Sequence, residues 1–105
     1  MFDNMDGMMA KLQEAQQKIE EARASLNNIT VTGESGGGKV TVTATANREI
    51  RSIQIDEELY NDKEALEDFL VIALNNTLEK AHEINERILS DAAKDGMPDI
   101  PGLNL

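Results

Sequence analysis

Residues 29–55 leave the chain few folds to choose from. Ile29, Val31 and Gly33 alternate with Thr30, Thr32 and Glu34. Val40, Val42, Ala44 and Ala46 alternate with Thr41, Thr43, Thr45 and Asn47, and Ile53 and Ile55 with Ser52 and Gln54. A period of two sends alternate side chains to opposite faces of an extended strand. The apolar set therefore faces a core, and the threonine-rich set faces water or a partner. Gly36-Gly37-Gly38 separates the first run from the second, and Asn47-Arg48-Glu49 the second from the third. Both gaps have hairpin length. The pattern predicts a three-stranded antiparallel meander. Three strands alone cannot bury a large core, so helices or a partner must cover them.

Long helical sequence flanks the strands. Residues 1–4 are expected to fray. Met5, Met8, Leu12, Ala15, Ile19, Ala22 and Leu26 then recur at alternating spacings of three and four, the a/d seam of a coiled coil. Lys11, Lys18 and Arg23 flank that seam, and Glu14, Glu20 and Glu21 face away from it. Asn27-Asn28 is expected to end the helix through a left-handed cap. Beyond the strands, Asp56-Glu57-Glu58-Leu59-Tyr60 is an acidic connector. Asn61, with Glu64 three residues later, has the arrangement of a capping box for a second helix. Leu66, Phe69, Leu70, Ala73, Leu74, Thr77, Ala81, Ile84, Ile88 and Ala92 form its stripe. The stretch from Leu66 to Leu74 is apolar over most of its circumference and is expected to be the best-buried part. From Leu78 to Asp95 the stripe narrows, as in a projecting or partner-packed helix. Lys94, Gly96 and Pro98 form a stop, and residues 97–105 read as a flexible tail. The expectation is one α+β domain over residues 1–105: long N-terminal helix, three-stranded antiparallel sheet, long C-terminal helix, dimeric.

Charge bounds the partners. Residues 1–28 carry net −2, residues 29–55 net +1, and residues 56–105 net −9, giving −10 for the chain. Such a chain repels nucleic acid at long range and can approach it only through a local basic surface. Absence of cysteine excludes disulfides and thiolate zinc sites. No apolar run approaches the roughly 18 residues of a membrane span, and no basic-then-apolar leader pattern opens the chain. A cytoplasmic protein is expected.

Three catalytic or ligand-binding patterns can be weighed. Gly33-Glu-Ser-Gly-Gly-Gly-Lys39 has the spacing of a phosphate-binding loop. However, Val40 stands where Ser or Thr would hold magnesium, and a strand follows where a helix must open. Glu79-Lys-Ala-His82 has the spacing of a di-metal bundle ligand pair, without the further inward carboxylates such sites need. His82, the one histidine, lies on a polar helix with no nucleophile elbow nearby. No enzyme, cofactor, metal or small-molecule substrate is expected. Lys39, Arg48 and Arg51 form the basic segment of the strands, and as surface cations they suit phosphate contact or ordinary solvation equally.

The coiled-coil-like helix is followed by Val31-Thr-Gly-Glu-Ser-Gly-Gly-Gly-Lys-Val-Thr-Val42, Ile53-Gln-Ile-Asp56, Asp62-Lys-Glu-Ala-Leu-Glu-Asp68, Ala73-Leu-Asn-Asn76 and the tail Gly96-Met-Pro-Asp-Ile-Pro-Gly102. This order of parts resembles the YbaB/EbfC family of small bacterial nucleoid-associated proteins, over nearly the whole chain. The resemblance implies an α-β-β-β-α fold, a homodimer with helices projecting like pincers, a place on the nucleoid, and binding of double-stranded DNA with weak sequence preference. It supplies no sharply defined contact motif. The candidate phosphate contacts are therefore the basic positions themselves: Lys11, Lys18 and Arg23 on the first helix, and Lys39, Arg48 and Arg51 on the sheet. They would grip backbone rather than bases, because aromatic stacking platforms and an evident recognition helix are both missing. The other reading is a protein–protein adaptor whose acidic second helix docks on a basic partner.

Overall fold

The computed structural model describes residues 2–96, with side chains described from Gly7 to Lys94. Helix α1 (Phe2–Leu26) leads into strands β1 (Thr30–Ser35), β2 (Val40–Thr45) and β3 (Ile50–Ile55), and helix α2 (Lys63–Gly96) follows. The strands form one antiparallel sheet in the order β1-β2-β3. Val31 pairs with Ala44, Gly33 with Val42, Val42 with Ile53 and Val40 with Ile55, so the alternating apolar residues share one face. The threonine-rich face is exposed at Thr30, Thr32, Ser52 and Gln54 and half-buried at Thr41 and Thr43. The α+β arrangement read from the pattern is thus the observed one. Helix α1 already begins at Phe2, so residues 2–4 belong to it. The tail expectation for residues 97–105 lies outside the described residues.

Turn chemistry joins the strands. Gly36, Gly37 and Gly38 form one 3-10 turn, all with positive φ. At Gly37 (φ 67°) an added Cβ would meet nothing within 4 Å, so backbone conformation alone demands glycine there. Gly37→Val should therefore lower stability by about 1–2 kcal/mol, the cost of a left-handed L-residue, measured by chemical denaturation. A strand follows this turn directly and Lys39 pairs with Glu58 at 3.1 Å, so the loop does not open the helix a phosphate-binding loop requires.

Helix α2 spans the sheet and then runs on beyond it. Its contact stripe, Ala73, Thr77 and Ala81, is fully buried, and it covers β1 and β2. One core cluster joins Val40, Val42, Leu59 and Ala73, with Ile55, Leu66, Phe69, Leu70 and Leu74 packed around it; a second joins Val31, Ala44 and Ala81 with Ile84. The hydroxyl of buried Thr77 donates to the Ala73 carbonyl at 2.7 Å, so no buried side-chain polar atom is left unsatisfied among the described residues.

Four expectations need correction. The N-cap of α2 is Asp62, not Asn61: the Asp62 carboxylate accepts from the Ala65 N–H at 3.2 Å. Asn61 instead ends a 3-10 turn that begins at Glu57 and is itself capped by Asp56. Asn27 and Asn28 end α1 without a left-handed residue, since Arg48 is the only non-glycine with positive φ among the described residues. The stretch Leu66–Leu74 is not the best-buried part of α2: Val71 is 58% exposed and Ile72 48%. A helix resting on a sheet by one stripe leaves the rest of its circumference in solvent, however apolar. Nor is the apolar row of β3 fully covered. Ile50 and Ile53 remain 38% and 43% exposed, because α2 lies over the other two strands.

The α1 seam packs against α2 of its own chain. Ala15 and Leu26 are buried there, Ile19 and Ala22 half-buried, facing the half-buried stripe Ile84, Ile88, Leu89, Ala92 and Ala93. Leu12, Met8 and Met9 stay exposed. The paired helices project from the sheet and give the molecule its 73 Å length.

Candidate nucleic-acid interface

The basic residues are sorted by the β2–β3 turn. The buried Thr45 hydroxyl accepts from the backbone N–H groups of Asn47 (3.2 Å) and Glu49 (3.3 Å), and the Arg48 N–H donates to the Thr45 carbonyl at 2.9 Å. This network holds Arg48 at φ 67°, a region an arginine enters only under constraint. The Asn47 side-chain amide donates to the Arg23 carbonyl at 3.1 Å and to Asn27 Oδ1 at 2.6 Å. From the other side, the Asn85 amide donates to the Ala46 carbonyl at 3.1 Å. The turn is therefore tied to the last turn of α1 and to the middle of α2, and it sets the backbone of Arg48 at the end of the sheet where Arg23 closes α1.

Neither guanidinium has an ion-pair partner among the described residues, and neither does Lys11. Arg23 also lies in the last turn of α1, where a cation offsets the negative end of the helix dipole. Arg51 joins the same end of the sheet but pairs with Glu49 at 3.5 Å, both exposed. Lys39 is not part of this group. It precedes β2 while Arg48 follows it, so roughly 20 Å of strand separates them, and Lys39 is paired with Glu58. Lys18 lies about 7.5 Å and Lys11 about 18 Å further along α1 from Arg23, by helical rise. Around Lys18 stand Glu14, Gln17 and Glu21, lining a shallow concavity. His82 pairs with Glu86, one turn away on α2, at 3.2 Å.

Sequence reasoning named the six cations but missed Asn47, whose amide ties the turn that carries Arg48 to the end of α1 that carries Arg23. Its only local signal was its place in the break between the second and third strands.

A profile of the YbaB/EbfC DNA-binding family matches residues 1–97. The chain belongs to the YbaB/EbfC family. A nucleoid-associated protein of Flavobacterium johnsoniae is 48% identical over 98 residues, covering 93% of this chain and 92% of the relative. One from Francisella tularensis subsp. tularensis is 41% identical over 108 residues, covering 98% and 95%. Among solved structures, an uncharacterized protein from Helicobacter pylori superimposes with a TM-score of 0.74 at 26% identity, over 87% of this chain and 95% of that one. YbaB/EbfC membership and the α-β-β-β-α fold thus agree. Among the described residues no helix is long and apolar enough to cross a membrane.

Proposed function

We infer that residues 1–105 form one domain that acts as a homodimer on the nucleoid, in the cytoplasm, binding double-stranded DNA through its sugar–phosphate backbone with weak sequence preference. It is not an enzyme and uses no cofactor or small-molecule substrate. Family membership supports the ligand class, and the names of the relatives support the place. The observation that carries the contact surface is Arg48, held in a strained conformation next in the chain to Asn47, which binds the Arg23 carbonyl, with both guanidinium groups unpaired among the described residues. Strain of this kind concentrates at functional positions, and Asn or Gly would relieve it at a turn. Lys11 and Lys18 extend the strip along α1, Arg51 borders it, and Lys39 contributes least because Glu58 already holds it.

A local basic strip on a chain of net charge −10 gives weak, salt-sensitive binding. Affinity should fall by roughly one to three powers of ten between about 50 and 200 mM salt, as for a handful of phosphate contacts. Arg23→Gln combined with Arg48→Asn removes two such contacts per protomer and keeps the turn conformation accessible. In a dimer it should flatten the log–log salt slope by about four, equally on all sequences. Lys39→Gln should leave the slope unchanged. Fluorescence anisotropy on a short duplex measures all three. No binding by the wild-type dimer at about 50 mM salt would reject DNA as ligand and favour the adaptor reading through acidic α2.

A further inference from the structure

Helices α1 and α2 leave the sheet together but do not end together. Both are fixed at the β2–β3 turn: Asn47 holds the Arg23 carbonyl near the end of α1, and Asn85 of α2 holds the Ala46 carbonyl. From Asn85, α2 reaches Gly96, roughly 16 Å by helical rise. The same distance back along α1 from Leu26, again about 16 Å, reaches Ala15. Ala15 is also where burial of the seam stops, counting away from the sheet. Helix α1 runs on to Phe2, roughly 20 Å further.

Met8, Met9 and Leu12 lie on this overhang and are 65%, 60% and 56% exposed. Helical spacing puts Met8 in line with Ala15, Ile19 and Leu26, with Leu12 and Met9 to one side. The seam thus continues past the end of the helix that fills it, and it stays bare among the described residues. The chain delivers a segment to that point. Residues 97–105, Met-Pro-Asp-Ile-Pro-Gly-Leu-Asn-Leu, follow Gly96 and so start level with Ala15. Pro98 bars a further helical turn. Met97, Ile100 and Leu103 recur every three residues, as do Pro98 and Pro101. Three is the repeat of an extended polyproline helix, which puts every third residue on one edge at about 9 Å intervals. Laid along the overhang, that edge sets Ile100 level with Met8 and Leu103 level with the start of α1.

We propose that residues 97–105 dock in extended form on the bare seam of α1 of the same chain, continuing the α1–α2 contact past the end of α2. The segment brings four apolar side chains besides its prolines and one charged side chain, Asp99. Its prolines reduce the freedom that docking must remove. Its attachment to α2 holds it beside the seam at an effective concentration in about the millimolar range, above that of a separate partner. A second copy has no such tether.

Oxidation and cross-linking test this on the full chain. The chain has no cysteine, so dilute hydrogen peroxide reports on methionine, and an open thioether oxidises faster than a covered one. Peptide mass spectrometry should find Met8 oxidised several-fold more slowly in the wild type than in the double variant Ile100→Ser with Leu103→Ser. Both substitutions lie outside the core clusters, so circular dichroism should show the fold unchanged. Equal rates in the two proteins overturn the proposal: fast in both means an open seam, and slow in both means another occupant, such as a second copy. Paired cysteines give the second readout. Met8→Cys with Ile100→Cys should form a disulfide within one chain under mild oxidant. Glu14→Cys with Ile100→Cys should form little, although Glu14 is nearer the root of the segment, because it lies on the other flank of α1. Equal yields from the two pairs, or a disulfide that joins two chains, overturn docking on the same chain.

Discussion

Gly33→Val should prevent stable folding, or cost well over 3 kcal/mol if the variant folds at all. A Cβ at position 33 would lie 2.3 Å from the Thr77 side-chain oxygen, 2.7 Å from the Thr77 backbone nitrogen and 3.0 Å from its Cα. A side chain could rotate away from such a clash, but the backbone of a helix cannot. The whole of α2 would have to rise from the sheet, opening both core clusters at once. Ordinary overpacking costs about 1–3 kcal/mol, and here the obstruction falls on the element that closes the core. Denaturant melts should show a large loss already in Gly33→Ala, which carries the same Cβ, and a larger one in Gly33→Val. A Gly33→Ala protein as stable as wild type would mean that α2 does not cross β1 at this point.

Leu26→Ala should cost about 2–5 kcal/mol, the usual range for emptying a fully buried leucine site. Leu26 is the last residue of α1 and the deepest of its seam. Truncating it loosens α1 where Asn47 grips the Arg23 carbonyl and Asn27. Limited proteolysis should then cut within α1 before it cuts within the sheet, and chemical denaturation should register the loss. On the DNA-binding proposal above, the same variant should also weaken DNA binding beyond its effect on folding, because the end of α1 that carries Arg23 loses its anchor on the sheet.

The strands and their faces were legible because a period of two needs only the order of residues. Glycine in the alternation at position 33 was legible as core-facing; that it admits the helix backbone was not, since no local pattern says which residue of α2 crosses there. The α1 seam announced a helical partner, but a heptad does not say whether the partner is the same chain. The apolar girth of Leu66–Leu74 was read as depth of burial, when it also serves Val71 and Ile72 at the surface. The candidate site divides in the same way. Six cations could be counted from composition, but grouping Arg23 with Arg48 depends on Asn47 reaching 24 residues back along the chain, a tertiary hydrogen bond that charge patterning cannot register.

Lys80 and Asn76, stretched over the outer carbonyls of β1, also act as a guard. A bare strand edge is a template on which an extended segment of this or another chain can lay itself. The two side chains hold acceptors that such a segment would need, so the β1 edge offers an incoming strand only its donors. Stray strand addition is thereby made costly by the helix already lying across the sheet, with no proline, bulge or added element to blunt the edge.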